Sequence, residues 1–318
     1  MVEELIGCKK GPPAFRRLRE GFMEYIPAKH LLQRNRSTEW FGTDHTMNLY
    51  RGCCHGCIYC DSRSACYQDP GFDRVKAKAD ALRILRDDLA RKARPALIGM
   101  GSMSDPYNPF ERELLLTRHA LELIDAYQCG VAVVTKSDLI VRDADLYGMI
   151  REHSPVICKV TVTTADDALA AKLEPGAPPP SRRLEAVRRL SEAGIFTGVL
   201  LMPVLPFVED SEENVLAVTE AAARAGAKFV CAAFGVTMRE GQREYFLGQL
   251  DRAFPGQGLG ERYRKRYGYR YQCSSPRARE LWEGFSRQCR ELGLLYEMGH
   301  IVSAATRPYA DQQLTFFD

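Results

Sequence analysis

Between residues 46 and 236 the chain alternates two patterns. Short apolar runs rich in Val, Ile, Leu and Thr lie at residues 96–100, 131–135, 156–164, 197–205 and 228–236. Bounded runs of this length predict buried strands, and 46–51 is a further short candidate. Between them, residues 75–93 place Ala79, Leu82, Leu85 and Leu89 at helical spacing with charges on the other faces. Residues 112–127, 143–153 and 182–193 read as helices too. Gly194 is a C-cap, and Ser211 an N-cap for a helix to about Ala225. Strand and helix thus alternate about six times, which predicts a parallel sheet with right-handed crossovers. The rhythm alone does not choose between a doubly wound sheet and a barrel.

Outside that core, residues 1–45 form an irregular N-terminal extension, broken by Pro12 and Pro13, and residues 237–318 a C-terminal extension expected to pack on the core. With 45% hydrophobic residues, 318 residues suffice for one α/β barrel or two smaller domains. The net charge of +3 gives no overall polyelectrolyte character. Of eleven cysteines, only those in 53–60 are tightly clustered. The absence of a leader pattern or an apolar run near twenty residues gives a cytoplasmic, reducing compartment as the expectation.

The chemistry concentrates in residues 48–60, which read N-L-Y-R-G-C-C-H-G-C-I-Y-C. Cys53, Cys57 and Cys60 have the spacing C-x3-C-x2-C, so a short loop can turn three sulfurs toward one object. Thiolates so grouped suit zinc or an iron–sulfur cluster. A zinc site would need a fourth ligand from Cys54, His55 or Cys66, and spacing does not decide.

The flanking residues resemble the cluster loop of the radical S-adenosylmethionine (SAM) superfamily, with the aromatic Tyr59 just before Cys60. The longer string, followed by Asp61, Ser62 and Arg63, resembles its spore photoproduct lyase-like (DNA-repair-photolyase-like) branch. The resemblance implies an α/β fold, an open (β/α)6 partial TIM barrel over residues 46–236. It implies a [4Fe–4S] cluster on Cys53, Cys57 and Cys60, with Cys54 a bystander, and one iron left to bind SAM. It further implies that Ser104 and Asp105, after the second strand, meet the SAM amino group, and that Lys136, after the third, meets its carboxylate. Thr161 and Thr163 would lie near the ribose and Met202 near the adenine. A flavodoxin- or ferredoxin-like protein would supply one electron, SAM would be cleaved reductively, and the resulting radical would take hydrogen from a substrate. In photoproduct lyases a cysteine three residues before the Ser-Asp aspartate returns a hydrogen; here that position is Ser102, which argues against spore photoproduct as substrate.

Two C-terminal stretches bear on partners. Arg262, Tyr263, Arg264, Lys265, Arg266, Tyr267, Tyr269, Arg270 and Tyr271 interleave cations with aromatics, a mix able to neutralise phosphates and stack on unpaired bases of DNA or RNA. Tyr267, Tyr269 and Tyr271 also alternate as a half-buried strand would. At the end of the chain Gln313, Leu314, Phe316 and Phe317 resemble the peptide by which bacterial repair proteins dock on the sliding clamp; the same residues would serve as an apolar latch. The sequence thus leaves three classes: a radical SAM enzyme on nucleic acid, one on a small molecule or peptide, and a non-catalytic iron–sulfur or zinc protein that binds nucleic acid.

Overall fold

Six of the apolar runs line up in chain order as neighbours in one parallel sheet, in a computed structural model that describes residues 23–69 and 71–312. An antiparallel strand, β1 (Gln33–Arg34), edges the sheet. The parallel strands are β2 (His45–Met47), β3 (Leu97–Met100), β4 (Gly130–Thr135), β5 (Val156–Thr161), β6 (Thr197–Leu201) and β7 (Phe229–Ala232). Among the described residues β1 and β7 do not pair, so the sheet is an open partial barrel. The helices α1 (Ala81–Ala90), α2 (Leu116–Ala126), α3 (Ala144–Arg151), α4 (Pro180–Glu192) and α5 (Glu212–Arg224) follow strands as crossovers. The Ser211 hydroxyl accepts from Asn214 N at 3.1 Å, and Gly194 takes φ +73°, so both expected caps form.

The sheet buries both faces. On the convex side Ile98, Val131, Val133 and Cys158 pack with Leu85, Leu121 and Ile124 of the helices. On the concave side Leu97, Ala132, Ile157, Leu200 and Phe229 point into the lumen, where Phe41 and Ile301 join them. Strand register sets one row across this inner face as Val134, Lys159, Gly198 and Phe229. Gly198 leaves room for the Phe229 ring, since a Cβ there would fall 2.4 Å from its Cδ2.

Four expected elements divide: the 112–127 helix breaks at Leu115, where φ is +53°, into Glu111–Leu114 and α2, and three others divide where partners intervene. The 46–51 run splits into β2 and the pair Tyr50–Arg51, because the chain turns to meet Lys76–Lys78. Lys76–Lys78, expected as helix, pairs on both edges, with Glu24–Ile26 and Tyr50–Arg51. Those ladder bonds outweigh its helical spacing, and α1 starts only after Asp80, at φ +52°. The 228–236 run stops at Ala232, and Gly235–Thr237 pairs instead with Gln272–Ser274.

The C-terminal helices α6 (Gln242–Ala253), α7 (Leu259–Tyr267), α8 (Ala278–Glu291) and α9 (Met298–Thr306) cover the sheet. α8 lies along α5, while Ile301 and Ala305 of α9 close the floor of the lumen.

Gly198→Ala is expected to lower stability by about 1–3 kcal/mol, because a methyl group overpacks against a fully buried ring. Thermal melting checks this; an unchanged melting temperature would show that Phe229 does not need the space.

Candidate active site

The cysteine loop leaves the Tyr50–Arg51 strand through Gly52, where φ is +77° and a Cβ would lie 2.3 Å from Arg74 O. Cys53 N donates to Phe72 O at 2.8 Å, and Ile58 N to Leu173 O at 2.9 Å. Gly176 N donates to His55 O at 2.8 Å, with its α-carbon so close that a Cβ would come 2.5 Å from Cys54 O. The loop after β5 therefore grips the cysteine loop along its backbone. Cys57, Ile58 and Tyr59 sink into an apolar cluster with Leu205, Phe246 and Tyr263, so the C-terminal helices form the loop's outer wall. Gln242 Nε2 donates to Tyr59 O at 3.0 Å across that junction.

Cys57 is buried, Cys53 and Cys60 partly so, and Cys54 packs into the convex core away from them. Burial pushes the Cys57 thiol up to about 12 and the Cys53 thiol well above its ordinary value. Thiolates there need a cation to compensate them, as ligation by iron would provide. Among the described residues no three His, Cys, Asp or Glu side chains gather at metal-ligating distance. The three thiols share a loop but not a preformed cage among the described residues.

Asp105 braces the strand ends against this loop. Its Oδ1 accepts from Tyr107 N at 2.9 Å and from the Thr135 hydroxyl at 2.6 Å. Its Oδ2 accepts from Lys136 N at 2.8 Å and lies 3.4 Å from His55 Nδ1. Ser104 is buried and donates to Tyr50 O at 2.8 Å. The oxygens expected to face a cofactor amino group are therefore engaged within the protein.

Lys136 points to a buried carboxylate, Glu174. Its Nζ lies 3.9 Å from Glu174 Oε1 and 5.5 Å from the centre of the Tyr59 ring. The Tyr59 hydroxyl donates to Glu174, and Arg183 forms an ion pair with it. Arg183 also donates to Pro178 O at 2.6 Å and to Thr161 O at 3.1 Å. Burial alone would raise the Glu174 carboxyl, but Arg183 and Lys136 outweigh it and hold the group below its usual range. Thr161 and Thr163 are buried, and their carbonyls accept from Arg183 and from Asn214 Nδ2 respectively. Met202, half-buried, precedes Pro203 through a cis peptide bond.

A cavity of about 500 Å³ opens into the lumen, lined by Asn35, Trp40, Thr46, Gly99, Ser102 and Lys159 among others. Ser102 thus stands on its wall.

The Arg/Tyr stretch is not a half-buried strand. Residues up to Tyr267 form α7, Gly268 ends it, and Gln272–Ser274 is the strand. Tyr263 and Tyr267 face inward at helical spacing and are core, so neither can stack on a base; Tyr263 OH donates to Pro206 O at 2.9 Å. Arg262, Arg264, Lys265, Arg266 and Arg270 are exposed, as are Tyr269 and Tyr271. Gln313, Leu314, Phe316 and Phe317 lie outside the described residues.

The sequence reading missed Lys159, Arg183 as the partner of Glu174, and Glu209. A lysine inside an apolar run was a signal available for Lys159; the other two pair only through the fold. Glu209 accepts from Leu205 N at 3.1 Å, and burial pushes its carboxyl up to about 8.

A family model described as the radical SAM superfamily matches residues 47–228. A protein of Mycobacterium tuberculosis, itself uncharacterised, is 33% identical over 230 residues, which are 70% of this chain and 67% of that one. An uncharacterised protein of Methanocaldococcus jannaschii is 30% identical over 171 residues, 54% of this chain and 64% of that one. Among solved structures, a point mutant of spore photoproduct lyase aligns with a TM-score of 0.65 over 93% of this chain and 88% of that one, at 15% identity. A spore photoproduct lyase complexed with dinucleoside spore photoproduct aligns at 0.63, covering 86% and 81%, at 17% identity. At these identities the likeness is one of fold.

The raised Glu209 carboxyl sets a pH dependence. An exposed glutamate titrates near about 4.3, so between that pH and about 8 the unfolded chain loses a proton that the folded chain keeps. The contribution of Glu209 is complete below the lower value and is lost as pH rises through the upper one. Glu209→Gln is expected to melt progressively higher than the parent as pH rises from 5 to 8, the gap then levelling. A gap independent of pH would show that Glu209 is ionised in the fold.

Proposed function

The chain belongs to the radical SAM superfamily, whose members use a [4Fe–4S] cluster and SAM, and we propose that it removes a hydrogen atom from a nucleotide-bearing substrate held in the lumen. The observation that carries the reading is the placement of the cavity. Its wall at Gly99–Ser102 runs straight into Ser104 and Asp105, which brace the cysteine loop, so cofactor and substrate share one end of the sheet.

Cys53, Cys57 and Cys60 hold the cluster in this reading, and Lys136 meets the SAM carboxylate, since its only anionic partner among the described residues, Glu174, is 3.9 Å away. Asp105 acts as a positioning residue: it fixes the Lys136 backbone and the His55 segment of the loop together. When bound and given one electron by an external reductant, the cluster and SAM would supply the radical chemistry that takes an unactivated hydrogen atom. The residues around it position the cofactor and exclude water: Tyr59, Leu173, Leu205 and Phe246 seal the loop from outside. Ser102 is a poor hydrogen-atom donor, so it cannot stand in for the cysteine of a photoproduct lyase, and a different product follows from the same fold.

Nucleic acid as the substrate class draws support from two sources. The neighbour of similar fold is complexed with a dinucleoside. In addition, α7 presents Arg262, Arg264, Lys265 and Arg266 outward while Tyr263 anchors it to Pro206, just past the end of β6.

Anaerobic reconstitution is expected to give about four irons and four sulfides per chain. Cys53→Ala, Cys57→Ala or Cys60→Ala should lose the cluster absorbance and Cys54→Ala keep it. Stoichiometric zinc without iron would overturn the assignment. Lys136→Ala should keep the cluster and weaken SAM binding by about 2–5 kcal/mol, measured by calorimetry.

Formation of 5′-deoxyadenosine by the reconstituted protein is expected to rise several-fold with single-stranded DNA or RNA. A rise with peptides and none with nucleic acid would replace the substrate class.

A further inference from the structure

Lys159 lies on the inner face of β5, in register between Val134 of β4 and Gly198 of β6. Only 2% of it is exposed, and its Nζ stands 4.2 Å above the centre of the Phe41 ring. The neighbouring inward residues are Ala132, Ile157, Leu200, Phe229 and Cys231. Among the described residues no carboxylate lies within ion-pairing distance of the ammonium, whose titratable neighbours are limited to Cys158 and Cys231, and its close contact is the Phe41 ring. Burial accordingly pushes it down to about 7.

Other inward-pointing cations among the described residues have partners. Arg183 has Glu174 and two carbonyls; Lys136 has Glu174. An unpaired ammonium in an apolar interior costs stability that a leucine or methionine would not. What Lys159 does have is the cavity, on whose wall it stands. The other polar groups of that wall are neutral amides and hydroxyls, among them Asn35, Ser37, Thr43, Thr46 and Ser102, and the lining includes no carboxylate. A pocket with one cation and no acid is complementary to an anion.

We infer that Lys159 anchors an ionised oxygen of the substrate, a phosphate or a carboxylate, on the wall of the lumen. The bound anion supplies the partner that the fold withholds, and the ammonium then gains a charge-assisted hydrogen bond in a low-dielectric site. Trp40, half-exposed at the rim and held edge-on to Phe41 with centroids 4.9 Å apart, offers a flat face to the part of the substrate above the anion. On the nucleotide reading, on which this inference rests for its choice of phosphate, that part is a base.

The test uses the full chain with its cluster reconstituted and SAM present, and titrates thymidine 5′-monophosphate, thymidine and benzoate by calorimetry. The phosphate-bearing probe is expected to bind at least tenfold more tightly than thymidine, and Lys159→Met to abolish that difference while leaving thymidine unaffected. Benzoate binding that depends on Lys159, with no phosphate preference, would assign the anchor to carboxylates and remove the nucleotide phosphate as its source. Anion affinity equal in parent and Lys159→Met would overturn the anchor. A second readout needs no variant: reductive methylation of the parent, followed by peptide mass spectrometry, should label Lys159 and be suppressed by the anion that binds. Labelling unchanged at saturating probe would also overturn the proposal. Binding is read without turnover. Oligonucleotide-stimulated 5′-deoxyadenosine formation with no role for Lys159 in binding would thus reject the anchor alone, whereas Lys159-dependent binding of benzoate alone would reject the nucleotide reading.

Discussion

The buried Glu174 carboxylate holds the active end of this molecule together. It sits in the loop that grips the cysteine segment, and it is shared by Arg183 from α4, Lys136 from the end of β4 and Tyr59 from the cysteine loop itself. Taking a carboxylate out of water is costly, and only well-placed partners repay it. Each of its three partners comes from a different segment, so the charge fixes their relative positions. Removing Arg183 would leave a buried anion with less than its due, whereas removing an exposed pair such as Arg224 and Glu220 would cost little.

Asp105 repeats the device on the neighbouring strand end. Its carboxylate ties β3 to β4 through Thr135 and Lys136 and faces His55 in the cysteine loop. Two buried acids thus clamp the loop from two sides, and Lys136 belongs to both, through its backbone to one and its side chain to the other. That double tether leaves its ammonium aimed but weakly paired, which suits a group that must accept an anionic ligand.

The lumen is organised by size before charge. Gly99, Gly198 and Ala132 keep the inner face low, Phe229 and Phe41 fill part of the space, and the remainder is the cavity. Into this setting the described residues place one cation, Lys159. The cofactor end gives its lysine one carboxylate, Glu174, at 3.9 Å, whereas the lysine on the lumen wall has none among the described residues.

The existence and type of the six strands were legible in the sequence, because a strand covered on both faces must be apolar throughout and its crossover helix must be apolar on one side; their order in the sheet was not. The cysteine motif was legible for a similar reason, since its spacing is local. What tertiary structure alone decided were choices between equally good local options. Lys76–Lys78 became a strand because two others offered it hydrogen bonds, and Tyr263 and Tyr267 became core because α7 turned them toward Phe207 and Phe246. The partners of Glu174 come from as far apart as residues 59 and 183, and no spacing rule links them. Sequence determines what a residue is able to do within its own turn or strand; which distant charge it meets, and whether it meets one at all, is settled by packing.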